Sequence, residues 1–268
     1  MPASAHDSAA GNKISFVIPA YNEEAIICEC LASVEKAIAD YKAQEKGSIC
    51  ETEIIVVNNA STDRTKALVT ESFPNVRIID EFRKGLVWAR KAGFGASTGN
   101  LIANLDADVL LPPEWLPKVV EEFANDPKLF ALSGPFIYYD APWHIRASTK
   151  IFYALGLIVD RLSCLMFKSG SLLQGGNFVF RREAIEKIGG FDTSIEFYGE
   201  DTDIGRRIGK VGKVKWTFDL PILSSGRRFS KQGMFMTAVN YAINFLSVTF
   251  TGKPVTKKHV DVREPSKS

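Results

Sequence analysis

The stretch Ser15-Phe16-Val17-Ile18-Pro19-Ala20-Tyr21-Asn22-Glu23-Glu24 decides how the chain is read. Its first half, joined to Ile14, is a short apolar run ending at Pro19, as a strand buried in a parallel sheet would be. The sequence then turns polar, and Ile26, Ile27, Cys30, Leu31, Val34, Ile38 and Tyr41 recur on one helical stripe. Glu23 and Glu24 fall in the first turn of that helix, where carboxylates complement the backbone dipole.

The same unit repeats outward. Glu53 to Val57 reads as strand, Asp63 to Phe73 as helix and Val76 to Ile79 as strand. Leu86 to Ala96 reads as helix and Leu101 to Leu105 as strand. Alternation with short links predicts an α/β fold built from βαβ units around a mainly parallel sheet. After Pro112-Pro113 a helix carries Trp115, Leu116, Val119, Val120 and Phe123. Trp143 to Phe167 is apolar with helical period, interrupted at Asp160-Arg161, and Lys213 to Phe218 predicts a late strand. The rest of the middle section is irregular. Residues 1–12 read as a frayed polar tail, 13–230 as one domain, and 231–268 as an apolar helix with a basic tail.

Composition narrows the function. The 268 residues are 46% hydrophobic and 24% charged, enough for one sizeable core. Lys plus Arg total 33 against 31 for Asp plus Glu, a balance that argues against nucleic-acid binding. Cys28, Cys30, Cys50 and Cys164 form no C-x-x-C pair and no cluster with histidine, which fits a reducing cytoplasm. The N-terminus lacks the basic and apolar regions of a secretory signal, so the sequon at Asn59-Ala60-Ser61 carries no weight. His6, His144 and His259 stand alone and read as surface or packing residues.

Ligands of parallel sheets bind beyond the carboxyl ends of the strands. Three predicted strand ends are polar: Tyr21-Asn22-Glu23, Asn58-Asn59-Ala60-Ser61-Thr62-Asp63 and Asp106-Ala107-Asp108. Asp106 and Asp108, two apart at a strand end, can face one side. Such hard oxygen ligands can hold Mg²⁺ or Mn²⁺ and leave positions for water and phosphate. A divalent cation there would stabilise charge building on a diphosphate leaving group. By itself an Asp-x-Asp is as compatible with a solvated turn.

The residues carry a resemblance. Ser15 to Glu24 looks like the opening of family 2 glycosyltransferases, which have the GT-A fold, and Val56 to Asp63 resembles their second strand and turn. Gly85 to Ala96 followed by Gly99 to Asp108 is similar to the segment carrying their D-x-D motif. Gly175-Gly176-Asn177-Phe178 and Gly189-Gly190-Phe191-Asp192 look like the family's acceptor-side stretch, and Glu200-Asp201-Thr202-Asp203 like its acidic catalytic motif. The matches run in order over roughly residues 13 to 208.

The resemblance implies a Rossmann-like, mainly parallel sheet flanked by helices, and metal-dependent transfer of one sugar from a nucleoside diphosphate sugar. Pro19, Tyr21 and Glu23 would line the nucleoside pocket, Asn58 or Asn59 would meet the base, and Arg90 would lie beside the nucleotide. Asp106 would contact donor ribose or sugar, and Asp108 would be the principal metal ligand. Gly175, Gly176, Asn177 and Glu200 would stand on the acceptor side. Asp201 would be the general base, taking the proton of an acceptor hydroxyl that attacks the anomeric carbon with inversion. Three features depart from the family. Asn58-Asn59 stands where Asp-Asp is frequent, which weakens the inference to uridine, and Lys91 replaces a common Asn. No Q-x-x-R-W motif is present, which argues against a processive synthase; Arg227-Arg228-Phe229 is the segment suited to a related phosphate-facing role.

Structural alternatives stand beside these readings. Glu200, Asp201 and Asp203 suit an acidic helix N-terminus. Gly93 to Gly99 lacks the lysine of a P-loop and precedes a strand, so it reads as a helix end and turn. Two rival functions remain: a nucleotidyltransferase, which would release pyrophosphate, and a non-catalytic nucleotide-sugar-binding protein, which has no use for a base at Asp201.

No residue between Lys231 and Lys253 is charged, yet Thr237, Asn240, Asn244, Ser247 and Thr251 form a polar stripe. That pattern favours a helix in the membrane interface, or docked on the domain, over one crossing the bilayer. Arg227, Arg228, Lys231, Lys253, Lys257 and Lys258 would add attraction to anionic lipid. Ile151 to Phe167 offers a second apolar contact. The acceptor expected from this is lipid-linked, or a cell-envelope glycan, at the cytosolic face.

Overall fold

Ile14, Phe16 and Ile18 face one side of the first strand and Val17 the other, and each side carries its own apolar cluster. This is the sandwich expected of a strand buried on both faces. The computed structural model describes residues 13–44, 51–167, 172–195, 198–226 and 234–256. The N-terminal tail, Cys50, His6, His259, Arg227 to Lys231, Lys257 and Lys258 lie outside those residues.

In chain order the elements are β1 (Lys13–Ala20), α1 (Ile27–Ala43), β2 (Glu51–Asn58), α2 (Thr65–Ser72), β3 (Arg77–Asp80), α3 (Leu86–Ala96), β4 (Leu101–Leu105), β5 (Val109–Leu110) and α4 (Trp115–Asn125). Then follow β6 (Leu129–Ser133), β7 (Phe136–Tyr138), α5 (Trp143–Phe167), β8 (Asn177–Arg181), α6 (Arg182–Lys187), α7 (Glu200–Ile208), β9 (Lys213–Trp216), β10 (Ile222–Ser224) and α8 (Met234–Thr251). Seven strands form the main sheet in the order β3-β2-β1-β4-β8-β6-β9, and β5, β10 and β7 form a small second sheet.

The first half of the chain follows its sequence pattern. Helices α1 and α4 bury Ile27, Leu31, Val34, Leu116 and Val119 on one face of the sheet. Helices α3, α6 and α7 cover the other face with Val87, Ile185, Ile204 and Ile208. Gly93 lets α3 close on the sheet, because a Cβ there would collide with Val17. Arg90, one turn earlier on the same face, is drawn under the strand ends by that approach.

The middle section, irregular by sequence, supplies β6 and β8. Strand β8 runs antiparallel between β4 and β6 and is the one reversal in an otherwise parallel sheet. All five residues of β6 and four of β8 are buried, so neither alternates, and a short all-apolar run does not declare strand or helix by period.

The last helix corrects one expectation. Its polar stripe faces the protein over most of its length: Thr237 and Asn244 are each 2% exposed, Asn240 and Ser247 are half-buried, and only Thr251 at the helix end is exposed. The Asn244 side chain accepts from the backbone N–H of Val255 and Thr256 and donates to the Asn240 carbonyl. The residues after the helix thus fold back on its polar face, and the apolar side turns outward. Among the described residues no helix is long and apolar enough to cross a membrane.

Candidate active site

Parallel register brings the polar strand ends to one edge. Ala20 of β1 pairs with Asn58 of β2, and Asn58 with Asp80 of β3. The loops that follow are laced together. The backbone N–H of Asn22 donates to Ser61 Oγ at 3.1 Å, and that of Thr62 to Asn22 Oδ1 at 2.8 Å. The Glu23 N–H donates to Thr65 Oγ1 at 2.8 Å. Asn22 and Ala60 hold φ of 52° and 59°, a left-handed conformation that costs about 1–2 kcal/mol per residue and persists only where neighbours enforce it.

The predicted donor-side residues divide on this edge. Pro19 and Tyr21 are half-buried at the end of β1, and Lys84 donates to the Tyr21 hydroxyl at 2.7 Å. Glu23 is buried. Asn58 donates to Asp80 Oδ1 at 2.8 Å. Asn59 is occupied otherwise: its amide nitrogen donates to the carbonyls of Glu81 and Arg83, and its oxygen accepts from the Gly85 N–H. It braces the 81–85 loop with both amide hydrogens. Asp80 was missed because the sequence reading ended that strand at Ile79; a polar residue closing a parallel strand was the available signal.

The D-x-D segment meets the later motifs at the centre of the edge. Asp106 Oδ1 lies 3.3 Å from Arg90 Nη2. Arg90 also pairs with Glu200, and both are buried, at 0% and 4% exposure of the side chain. Arg90, expected beside the nucleotide, is fully buried and lies against Asp106. Burial pulls its own pKa down while Asp106 and Asp201 push it back up. Asp106 and Asp108 both act on the buried Cys30 thiol, whose pKa rises through burial first and Asp108 next.

Gly175 and Gly176 bridge the two acidic motifs. The Gly175 N–H donates to Asp201 Oδ2 at 2.7 Å, and the Gly176 carbonyl accepts from the Asp106 N–H at 3.4 Å. A Cβ on Gly176, whose φ is +81°, would run into the Asp106 carboxylate. The other Asp201 oxygen accepts from the Thr202 N–H at 2.7 Å. Burial raises the Asp201 pKa above the ordinary carboxylate value, opposed by Arg90 and these N–H donors. Asp203 is turned away and bonds Arg206 and Arg207 of its own helix.

Asn177 departs from its expected acceptor-side position. Its side chain is wholly buried, accepting from Trp115 Nε1 and donating to the Leu220 carbonyl, each at 2.9 Å. As a residue of β8 between two strands, it points into the core and ties three segments under the site. Gln174 is the neighbour the sequence did not single out: its side chain accepts from the Tyr153 hydroxyl of α5 at 3.0 Å, and its backbone N–H donates to Ser133 Oγ.

Asp106 and Asp108 offer a hard-oxygen pair suited to Mg²⁺ or Mn²⁺. Among the described residues no third His, Cys, Asp or Glu joins them, so most coordination positions are left for phosphate and water. Asp106 already faces a cation in Arg90.

The chain is 28% identical over 215 residues to a probable glycosyltransferase, YdaM, of Bacillus subtilis, covering 75% of this chain and 47% of that protein. It is 26% identical over 215 residues to a dolichol-phosphate mannosyltransferase of Pyrococcus furiosus, covering 78% and 57%. The chain thus spans about half the length of these curated relatives. Its fold matches glucosyl-3-phosphoglycerate synthase from Mycobacterium tuberculosis, solved with Mn²⁺, uridine-diphosphate-glucose and phosphoglyceric acid. That match has a TM-score of 0.60 at 20% identity and covers 90% of this chain and 80% of the other. The family model "Glycosyl transferase family 2" matches residues 15–189, most of the chain, and the protein belongs to that family.

Proposed function

We propose that the protein transfers a single sugar from a nucleoside diphosphate sugar onto an acceptor hydroxyl, with a divalent cation and with inversion. The observation that carries this reading is the Gly175-Gly176 bridge, which sets Asp106 and Asp201 on either side of bare backbone and close to one buried cation, Arg90. A sugar can approach such backbone closely. Asp201, half-buried and raised in pKa by desolvation, suits a base that must take up a proton. Asp108, with Asp106, would hold the cation, which when bound stabilises charge on the departing diphosphate.

The remaining residues bind and orient. Pro19, Tyr21 and Glu23 border the nucleoside, and Asn58 with Asp80 presents a donor and a carboxylate to the base. That pair can replace the carboxylate the family often has at Asn58, which supports UDP as the carrier. Arg90 holds Asp106 and Glu200 in place. The acceptor is lipid-linked or part of an envelope glycan, in keeping with the dolichol-phosphate relative, and the protein works peripherally at a membrane's cytosolic face.

The test is a panel of sugar nucleotides with Mn²⁺ or Mg²⁺, read by the product released. Slow, metal-dependent nucleoside diphosphate release, lost by about a hundredfold or more in Asp108→Ala, is the expected result. Pyrophosphate release would identify a nucleotidyltransferase, and tight binding of donor without release in the presence of acceptors would identify a binding protein.

A further inference from the structure

Helix α5 presents an apolar stripe to solvent. Ile151, Leu155, Ile158 and Leu162 recur at steps of four, three and four residues and are 63%, 58%, 55% and 53% exposed. Trp143, 79% exposed, extends the stripe to the start of the helix. A soluble surface tolerates scattered apolar residues, but a continuous stripe of this length marks a contact. Arg146, Lys150 and Arg161 are exposed along one edge of it. The helix has a single acid, Asp160, which lies off the exposed face and accepts from the Leu172 N–H at 2.9 Å.

Helix α8 repeats the arrangement. Met236, Ile243, Leu246 and Phe250 are exposed on the side opposite the buried Thr237, Asn244 and Val248. Both helices reach residues next to Asp201, α5 through the Gly175 loop and α8 through Tyr198 and Gly199. On α5, Tyr153 reaches Gln174, the residue before the Gly175 that bonds Asp201. On α8, Tyr241 meets the Tyr198 ring at 5.7 Å, and Val248 packs where Gly199 lacks a Cβ.

We infer that the outward faces of α5 and α8 together form a docking surface for an anionic phospholipid bilayer, which seats the Asp201 side of the site against the lipid. That last clause rests on the proposed acceptor side; the surface itself does not. An apolar face edged by cations and free of acids is complementary to anionic headgroups over an acyl interior. A second copy fits less well, because a two-fold contact must be self-complementary and the exposed face of α5 offers no acid to pair its copy's cations.

The experiment is flotation of the full chain with phosphatidylcholine vesicles, with and without phosphatidylglycerol. The chain should float with phosphatidylglycerol vesicles and far less with phosphatidylcholine alone. Ile151→Glu/Leu155→Glu/Ile158→Glu should weaken binding by about tenfold or more. Lys150→Glu/Arg161→Glu should weaken it by roughly thirtyfold on anionic vesicles only, and serves if the triple variant fails to fold. Both variants should keep wild-type donor hydrolysis in solution. A chain that stays unbound, or variants that float like wild type, would overturn the inference. So would sedimentation showing a wild-type dimer that the triple variant makes monomeric. Flotation as expected without donor hydrolysis would support the surface and remove the catalytic reading alone.

Discussion

The two sides of the site are built in opposite ways. On the donor side, β1 to β4 run parallel, and the loops at their ends are fixed by short hydrogen bonds among Asn22, Ser61, Thr62, Asn59 and the 81–85 backbone. On the proposed acceptor side, two long helices with outward apolar faces pack beside Asp201, α5 on Gln174 and α8 on Tyr198 and Gly199. A nucleotide has fixed shape and charge, so a rigid, polar, pre-formed cradle serves it. A variable or lipid-bearing acceptor is better met by a surface that gains its partner from outside. Arg90, Gly176 and Asp106 are the seam between the two.

Changes at the seam should disturb both sides and have the largest effects. Gly176→Ala places a Cβ against the Asp106 carboxylate at a φ of +81°. It should lower turnover by more than about a hundredfold, since a displacement near 1 Å is enough for that. It should also lower stability by about 1–3 kcal/mol, read from denaturant melts. Near-normal turnover would mean that the seam tolerates movement and that the comparison is overstated.

Arg90→Met tests the electrostatic link across the seam. Burial raises the Asp201 pKa and Arg90 opposes the rise. A base must be ionised to act, so activity falls as pH drops through its pKa. Removing Arg90 raises that pKa further, and the acid limb of the kcat/KM profile should move to higher pH. Arg90→Lys should keep the limb nearer its original place. An unmoved limb in Arg90→Met would separate Arg90 from the base.

The smallest effect belongs to the donor side alone. Asn59→Ala removes three hydrogen bonds to the 81–85 loop and leaves buried backbone groups unpaired, a loss of about 1–3 kcal/mol in stability. Donor KM should rise while kcat is largely spared, as expected for lost ground-state binding. A fall in kcat with KM unchanged would place Asn59 closer to the chemistry than its hydrogen bonds indicate.

The same division explains what could be read in the sequence. Strands β1 to β4 and their helices declared themselves because apolar runs alternate with helical stripes, and the helix Leu86–Ala96 and strand Leu101–Leu105 fall where the pattern put them. Parallel topology then led to the strand ends, and so to Asp106 and Asn58. The pattern did not show β6 and β8, whose short apolar runs have no distinguishing period. It also did not reveal that Asn59 and Asn177 face the backbone and the core, since an amide's partners are fixed by tertiary approach. Thr237 and Asn244 carry the same lesson: a polar stripe was legible on α8, but which side of the helix faced the protein was set by the fold-back of Val255 and Thr256.

The most direct test of the account is Asp201→Asn, with donor binding measured by calorimetry and sugar transfer measured in the same preparation. The account predicts an unchanged donor Kd and a loss of turnover of about a hundredfold to ten-thousandfold. Turnover near that of the wild type, with donor binding intact, would contradict it and remove Asp201 from the role of base.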